Sequence, residues 1–297
     1  MTFLRASVPL RLLTSIPSPS SNALHLGPLQ LRAYGLCIAL GVLAAVAIAR
    51  RRWAARGGDP EDISRLATLS VIGGLVGARL YHVATDYHRF QGHWFNVVKI
   101  WEGGLGIPGG ILGGVTVGVL LARRRGLPAT RLLDVVAPAL PVAQAIGRLG
   151  NWFNQELFGR PTGLPWGLRI DADHRPAGYE HVATFHPTFL YEGLWNLALA
   201  WLLVAYERRR PGGRPGRLFA LYVGGYGLGR LWVESLRIDA ATRLLGIRVN
   251  IWVSLLAIAG VGLWWLIKGR QPAAPAPDPG TTSLGSGEPA TDPGSPR

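Results

Sequence analysis

Lysine is almost missing from this chain of 297 residues: only Lys99 and Lys268 occur. Its basic character is carried by arginine, so arginine identity alone says little about function. Cysteine is rarer still. Cys37 stands alone, which excludes an internal disulfide and any cysteine-based metal cluster. It lies in the apolar run "YGLCIALG", where it reads as a small buried hydrophobe rather than a nucleophile. Charge is scarce too, at 16% of residues against about 25% in soluble domains. No His/Cys/Asp/Glu set has ligand spacing, so no metal is expected. No glycine-rich turn leads into Lys-Ser/Thr, which removes one common route to nucleotide binding. The first 30 residues hold Arg5, Arg11 and "SIPSPSS" but no long apolar core, so no cleavable signal peptide is expected.

What is present is apolar: 48% hydrophobic residues, gathered in blocks, with a mean hydropathy of +0.22. The pattern predicts an all-α polytopic membrane protein with about seven transmembrane helices, each long enough for a hydrocarbon core of roughly 30 Å. The expected spans are Leu31–Ala49, Ile63–Tyr81, Gly104–Ala122, Leu132–Phe153, Pro187–Tyr206, Leu218–Leu236 and Val249–Ile267. The third and seventh are charge-free, while Pro138 and Pro141 weaken the fourth and the sixth carries Arg230 and Glu234.

The net charge of +14 can signal nucleic-acid binding, but the arginines flank apolar blocks, as the positive-inside rule requires. Clusters follow spans one (Arg50, Arg51, Arg52), three (Arg123, Arg124, Arg125) and seven (Lys268, Arg270), and join spans five and six (Arg208, Arg209, Arg210, Arg214, Arg217). With seven spans all fall on one side. That side is expected to be cytoplasmic, with the N-terminus outside and the C-terminus inside. Residues 1–30 are expected to form a periplasmic or interfacial segment, 31–268 the seven-span domain, and about 154–186 a small periplasmic head with turn signals "RPTGLPWG" and "HRPAGYE". Residues 269–297, rich in Pro, Gly, Ser and Ala, are expected to be a disordered cytoplasmic tail.

Chemistry concentrates in a few stretches. In "GRLGNWFNQELFG", Gly147 to Gly159, Arg148, Asn151 and Asn154 are three apart and project near one helical face. Gly147 and Gly150 leave room for close approach. Such groups are expensive in hydrocarbon unless partnered, so they mark a functional site. In "YVGGYGLGRLWVESLR", Tyr222, Tyr226, Arg230 and Glu234 form one stripe, and Glu234 is expected to hold Arg230 toward an anion. A guanidinium is a planar fork matched to phosphate oxygens. Two arginines on different spans suggest a clamp for a lipid phosphate. "WEGGLGIPGGILGG" reads alone as a tightly packed small-residue span, and functionally as a close-approach wall along a lipid groove. "LRAYGL" places Tyr34 early in span one, and "HPTFLYEG" places His186, Tyr191 and Glu192 at the start of span five, where a lone Tyr or His is commonly an interfacial anchor.

These blocks resemble, in order, those of bacterial prolipoprotein diacylglyceryl transferases. "GRLGNWFNQELFG" matches the family signature, and "LRAYGL", "GGLGIPGG", "HPTFLYEG" and "YGLGRLWVE" resemble further blocks, covering about residues 16 to 268. The resemblance implies seven spans, an outer head and a side-open cavity for phosphatidylglycerol in the bacterial inner membrane. It implies transfer of a diacylglyceryl group from that lipid to the lipobox cysteine of a prolipoprotein signal peptide, with glycerol-1-phosphate leaving and no cofactor. Arg148 and Arg230 match the family's essential arginines. Tyr34, Asn151, Glu156, Tyr226 and Glu234 match supporting positions. Gly104, Gly109 and Asn154 are taken as further substrate-binding positions and His186 as an additional candidate. In one departure, Pro108 stands where many members carry a histidine proposed as the base. Two rivals make different predictions. A transporter or flippase for an anionic substrate predicts an internal repeat, and none is evident. A non-enzymatic scaffold predicts tolerance of Arg148→Ala.

Overall fold

The computed structural model describes residues 15–26, 29–100 and 103–268. The expected tail at 269–297, part of the expected N-terminal segment (1–14 and 27–28), and Trp101 and Glu102 lie outside the described residues. A short antiparallel hairpin, β1 (Ala23–Leu26) and β2 (Leu29–Arg32), leads directly into α1 (Ala33–Ala54). α2 (Pro60–Thr85) starts where Pro60 presets the first turn and the Asp59 carboxylate accepts from Glu61 N at 2.9 Å.

α2 and α3 (Ile107–Arg124) pack backbone to backbone. Gly73 and Gly77 face Gly109 and Gly113 at four-residue spacing, and a Cβ on Gly77 would come within 2.4 Å of the Gly109 carbonyl oxygen. The glycines therefore do the packing job expected of a small-residue stripe. α3 is shorter than the expected third span because Gly103 and Gly104 adopt positive φ (91° and 72°) and the helix begins only at Ile107. Arg79, nearly buried, donates to the carbonyls of Val97, Asn96, Gly103 and Gly104 and so fixes the 86–104 loop to the end of α2.

The expected fourth span is not one helix. α4 (Ala129–Val136) and α5 (Ala139–Phe153) meet at 44°, with Pro138 at the break. Proline lacks the N–H that would continue the ladder and clashes with the preceding turn. The break frees Asp134 to cap a different helix: its carboxylate accepts from Gly216 N (2.6 Å) and Phe219 N (2.9 Å) at the start of α7 (Arg217–Leu236). α6 (Thr188–Arg209) and α8 (Val249–Lys268) complete the helices. By length and composition α1, α2, α6 and α8 can each cross a bilayer, which makes four spans, or five if the bent α4–α5 pair crosses as one. α3 and α7 fall outside that test among the described residues. α7 carries the charged pair at Arg230 and Glu234, and α3 ends on Arg123 and Arg124.

Between α5 and α6 the insertion folds around Phe158, Leu168, Ile170, Phe185 and Phe189. Each such side chain contributes about 1.5–3 kcal/mol when fully buried. β3 (Leu168–Arg169) pairs with β4 (Thr184–Phe185), and Ile16 adds a parallel bridge to Leu168. The segment before the first hairpin is thus part of this insertion: Trp152 Nε1 donates to Pro17 O and Gln155 Nε2 to Pro19 O. Arg160 ties the insertion to the end of α7 through Leu236 O and Ser235 O. A last hairpin, β5 (Arg243–Leu244) with β6 (Ile247–Arg248), joins α7 to α8.

Gly77→Ala is expected to lower stability by about 1–3 kcal/mol, because the new methyl has backbone rather than a flexible side chain to displace. Gly260→Ala, where an added Cβ meets nothing within 4 Å, is the matched control and is expected to be neutral or stabilising. Thermal unfolding of the two purified variants decides it; equal midpoints would remove the close-contact account of the α2–α3 pair.

Candidate active site

The last turns of α5 bring Arg148 and Asn151 onto one face, and Arg148 Nη1 donates to Asn151 Oδ1 at 3.1 Å. The chain then turns back on itself. Gln155 and Leu157 both have positive φ (51° and 59°), a conformation that costs a non-glycine residue about 1–3 kcal/mol. Neighbours hold it in place. Gln155 exchanges two hydrogen bonds with Asp171 (2.7 and 2.8 Å), and the Thr188 hydroxyl donates to Leu157 O. The result returns Glu156 over the helix end, where its Oε1 accepts from Asn151 Nδ2 (2.8 Å) and Asn154 Nδ2 (3.3 Å). Arg148, Asn151, Asn154 and Glu156 of "GRLGNWFNQELFG" are therefore joined in one network, while Gln155 is tied to Asp171.

The second arginine joins through a carboxylate from a third helix. Glu192, near the start of α6, forms an ion pair with Arg148 Nη2 at 2.6 Å and accepts from Arg230 Nη1 at 3.2 Å. Arg230 also pairs with Glu234 at 2.7 Å, one turn on along α7. Glu234 in turn takes Arg248 Nε (2.6 Å), Asn250 Nδ2 (3.3 Å) and Arg237 Nη1 (3.5 Å). Arg237 and Arg248 converge on Asp239, the first through a bidentate pair at 2.7 Å. In this chain of contacts four guanidiniums alternate with three carboxylates. Burial alone would raise the Asp239 carboxyl, but hydrogen bonds and charge from Arg237 and Arg248 outweigh it and hold the group below the usual carboxylate range.

Exposure orders the cluster. The side chains of Glu192 and Glu234 are 4% and 0% exposed, those of Arg148 and Arg230 are 22% and 12%. The carboxylates lie behind and the guanidiniums in front. Each guanidinium has five N–H donors, more than these contacts use. Tyr226, whose ring stacks on Tyr222, lies within electrostatic reach of Arg148 and Arg230. Tyr34 lies against Gly150, where an added Cβ would meet its ring at 2.6 Å. Gly147 has open space beside it. Arg148, Asn151, Glu192, Phe189 and Arg237 surround a narrow gap at this level.

Arg148, Arg230, Asn151, Asn154, Glu156, Tyr34, Tyr226 and Glu234 are thus linked through contacts around the ends of α5 and α7. Gly104 and Gly109 are elsewhere: Gly104 lies against His82 and Arg79, and Gly109 against Gly77 and Tyr81, both in the α2–α3 pair. His186 Nδ1 meets the Tyr191 hydroxyl at 3.1 Å, and burial followed by the Arg160 charge lowers its pKa. Glu192 was not singled out from sequence as a site residue, although a carboxylate one turn into an apolar span was a usable signal. Arg237, Asp239 and Arg248 had none, because Arg248 reaches Glu234 only by way of the β5–β6 hairpin.

A family profile described as prolipoprotein diacylglyceryl transferase matches residues 21–267. Among curated proteins, the chain is 51% identical to the phosphatidylglycerol–prolipoprotein diacylglyceryl transferase of Frankia alni, across 89% of this chain and 70% of the relative. It is 52% identical to transferase 2 of the same description from Streptomyces coelicolor, across 84% and 79%. It is 52% identical to that of Cutibacterium acnes, across 86% and 88%.

Glu192→Gln keeps the shape of the bridge and removes its charge. Combined with Arg148→Gln in a double-mutant cycle read by thermal unfolding, it is expected to show a coupling of about 0.5–3 kcal/mol. Additivity within about 0.3 kcal/mol would mean that the bridge does not hold the two helices.

Proposed function

This chain belongs to the prolipoprotein diacylglyceryl transferase family, and from that premise we propose how it moves a diacylglyceryl group from phosphatidylglycerol to the lipobox cysteine of a prolipoprotein. The observation that carries the proposal is the pair of guanidiniums on separate helices, held side by side by one buried carboxylate. In the reaction the cysteine sulfur attacks the glyceryl carbon and a C–S bond forms. The C–O bond to phosphate breaks, and its electron pair departs with glycerol-1-phosphate. Charge on the phosphate oxygens grows as that bond breaks. Fixed cationic donors in a water-poor site stabilise it. Arg148 and Arg230 supply those donors. Glu192 and Glu234 aim them, while Asn151, Asn154 and Glu156 brace Arg148, and Tyr34 and Tyr226 wall the site.

No histidine is the essential base in this reading. Pro108 offers no side-chain acid or base, and His186 faces Tyr191 rather than the arginines. A free thiol has a pKa of about 8.5, and nearby arginines lower it. Solvent or the substrate phosphate then takes the proton.

We further propose a seven-span arrangement in the bacterial inner membrane, with the head and N-terminus outside and the C-terminus cytoplasmic, α3 and α7 being the spans that composition alone underrates. Contacts among the arginine-rich helix ends support it. Arg52 and Arg56 near the end of α1 pair with Glu207 near the end of α6. Arg125 after α3 pairs with Asp62 at the start of α2 (3.3 Å), and Asp134 caps α7. The head lies at the other end of α6 and α7.

Purified protein in phosphatidylglycerol vesicles with a lipobox peptide is expected to yield the thioether. Arg148→Ala and Arg230→Ala are each expected to lose about 10²–10³ in rate, and Lys at either position is not expected to restore it. Near-normal product from a folded alanine variant would remove that arginine from the mechanism. His186→Ala is expected to lose less than the 10²-fold that typifies removal of a general base. In cells, a reporter active only in the cytoplasm should work when fused at Arg124 or Pro211 and fail at Gly92 or Tyr179. Activity at Tyr179 would invert the proposed topology.

A further inference from the structure

At the opposite end of α6 and α7 from the arginine clamp lies a groove of about 460 Å³ lined by Leu199, Leu202, Leu221, Tyr206, Arg209 and Arg210. From Glu192 to Arg209 is 17 residues of helix, or about 25 Å at 1.5 Å per residue. The groove's near wall at Leu199 is seven residues from Glu192, about 10 Å, so it is the cationic end that is remote, and the groove shares no lining residue with the gap above. Its wall is apolar from Leu199 toward Tyr206 and cationic at Arg209 and Arg210. That stretch rises about 15 Å, half of a hydrocarbon core of roughly 30 Å. The polarity profile is that of a single leaflet.

The chemistry at its cationic end is one-sided. Arg52 and Arg56 nearby share Glu207, but among the described residues no carboxylate pairs with Arg209, Arg210 or Arg217. Arg210 and Arg217 instead lie over the Tyr206 ring, at 5.8 and 5.3 Å, and Arg217 over Trp265 at 4.6 Å. The Tyr206 hydroxyl of the groove wall is buried and meets no hydrogen-bond partner among the described residues, and the same holds for Nε of Arg217, which stands outside the lining. Guanidiniums only donate, and a tyrosine hydroxyl can donate. A ligand made for this end carries acceptors and negative charge, and a ligand made for the wall carries an acyl chain. A zwitterionic headgroup would bring its own cation against the arginines.

We propose that this groove binds an anionic diacyl phospholipid of the leaflet facing the arginine-rich end, as a site additional to the one that takes substrate. Basic pockets between transmembrane helices recognise lipid phosphates in this way. A lipid seated there links the end of α6 to the start of α7 across the Pro211–Gly216 turn.

Native mass spectrometry of the full chain in detergent tests this with dioleoyl phosphatidic acid and dioleoyl phosphatidylcholine as probes. The wild type is expected to retain phosphatidic acid at two separable sites. Arg209→Gln/Arg210→Gln is expected to weaken one by about tenfold, and Tyr206→Phe, which keeps the groove's shape, by about threefold. Arg148→Gln/Arg230→Gln should weaken only the other. Phosphatidylcholine retention should not change, and the Arg209/Arg210 variant should still form thioether within about twofold of wild type. Unchanged phosphatidic acid retention in both groove variants would overturn the proposal. So would an equal loss of phosphatidylcholine, which would mean apolar contact without headgroup recognition. Retention of both sites in the Arg148/Arg230 variant would instead count against the clamp and leave the groove standing.

Discussion

Two guanidiniums brought side by side from separate apolar helices repel each other, and Glu192, buried between them, offsets that repulsion. At an effective dielectric near 20, typical of protein sites, two unit charges 4 Å apart interact by about 4 kcal/mol. An uncompensated pair would drive α5 and α7 apart or draw water in. One carboxylate paired with both, at 2.6 and 3.2 Å, turns that repulsion into a bridge across three helices. The same constraint repeats one turn on, where Glu234 gathers Arg230, Arg237 and Arg248. Breaking a buried pair of this kind by removing one partner typically costs about 3–5 kcal/mol. The carboxylates therefore work as fixtures for the arginines.

Much of the irregular structure around the helices holds this bridge in place. Leu157 is held in its left-handed conformation by Thr188, at the start of the helix that carries Glu192. Arg160 fastens the head to the end of α7, just past Glu234. The β5–β6 hairpin delivers Arg248. The anchor points of the insertion between α5 and α6 are thus the ends of the helices that bear the charges. At the far ends of α1 and α6 the same device recurs, with Arg52 and Arg56 sharing Glu207.

Legibility in the sequence followed the range of the interaction. Arg148, Asn151, Asn154 and Glu156 lie within nine residues, and Arg230 and Glu234 within one helical turn, so local spacing grouped each half of the polar cluster. The α2–α3 glycines were legible as packing for the same reason. The partner joining the halves was not, because Glu192 meets Arg148 across 44 positions and Arg230 across 38. Arg248 reaches Glu234 through a hairpin whose two-residue strands leave almost no periodic signal. Pro138 was visible as a weakness, but the 44° bend depends on what the freed end of α4 finds to do, and that is Asp134 capping α7. Ile16 pairs with Leu168 across 152 positions, which no local pattern announces.

The central claim is that the two arginines act on the departing phosphate and do more than hold the lipid. A single-turnover measurement on Arg148→Lys and Arg230→Lys, with the rate followed as phosphatidylglycerol is raised to saturation, separates the two roles. The account predicts a limiting rate down by about 10²-fold or more, with half-saturation shifted by less than about tenfold, because the ammonium keeps the charge and loses the planar fork. A limiting rate equal to wild type, with the whole loss appearing in half-saturation, would contradict it.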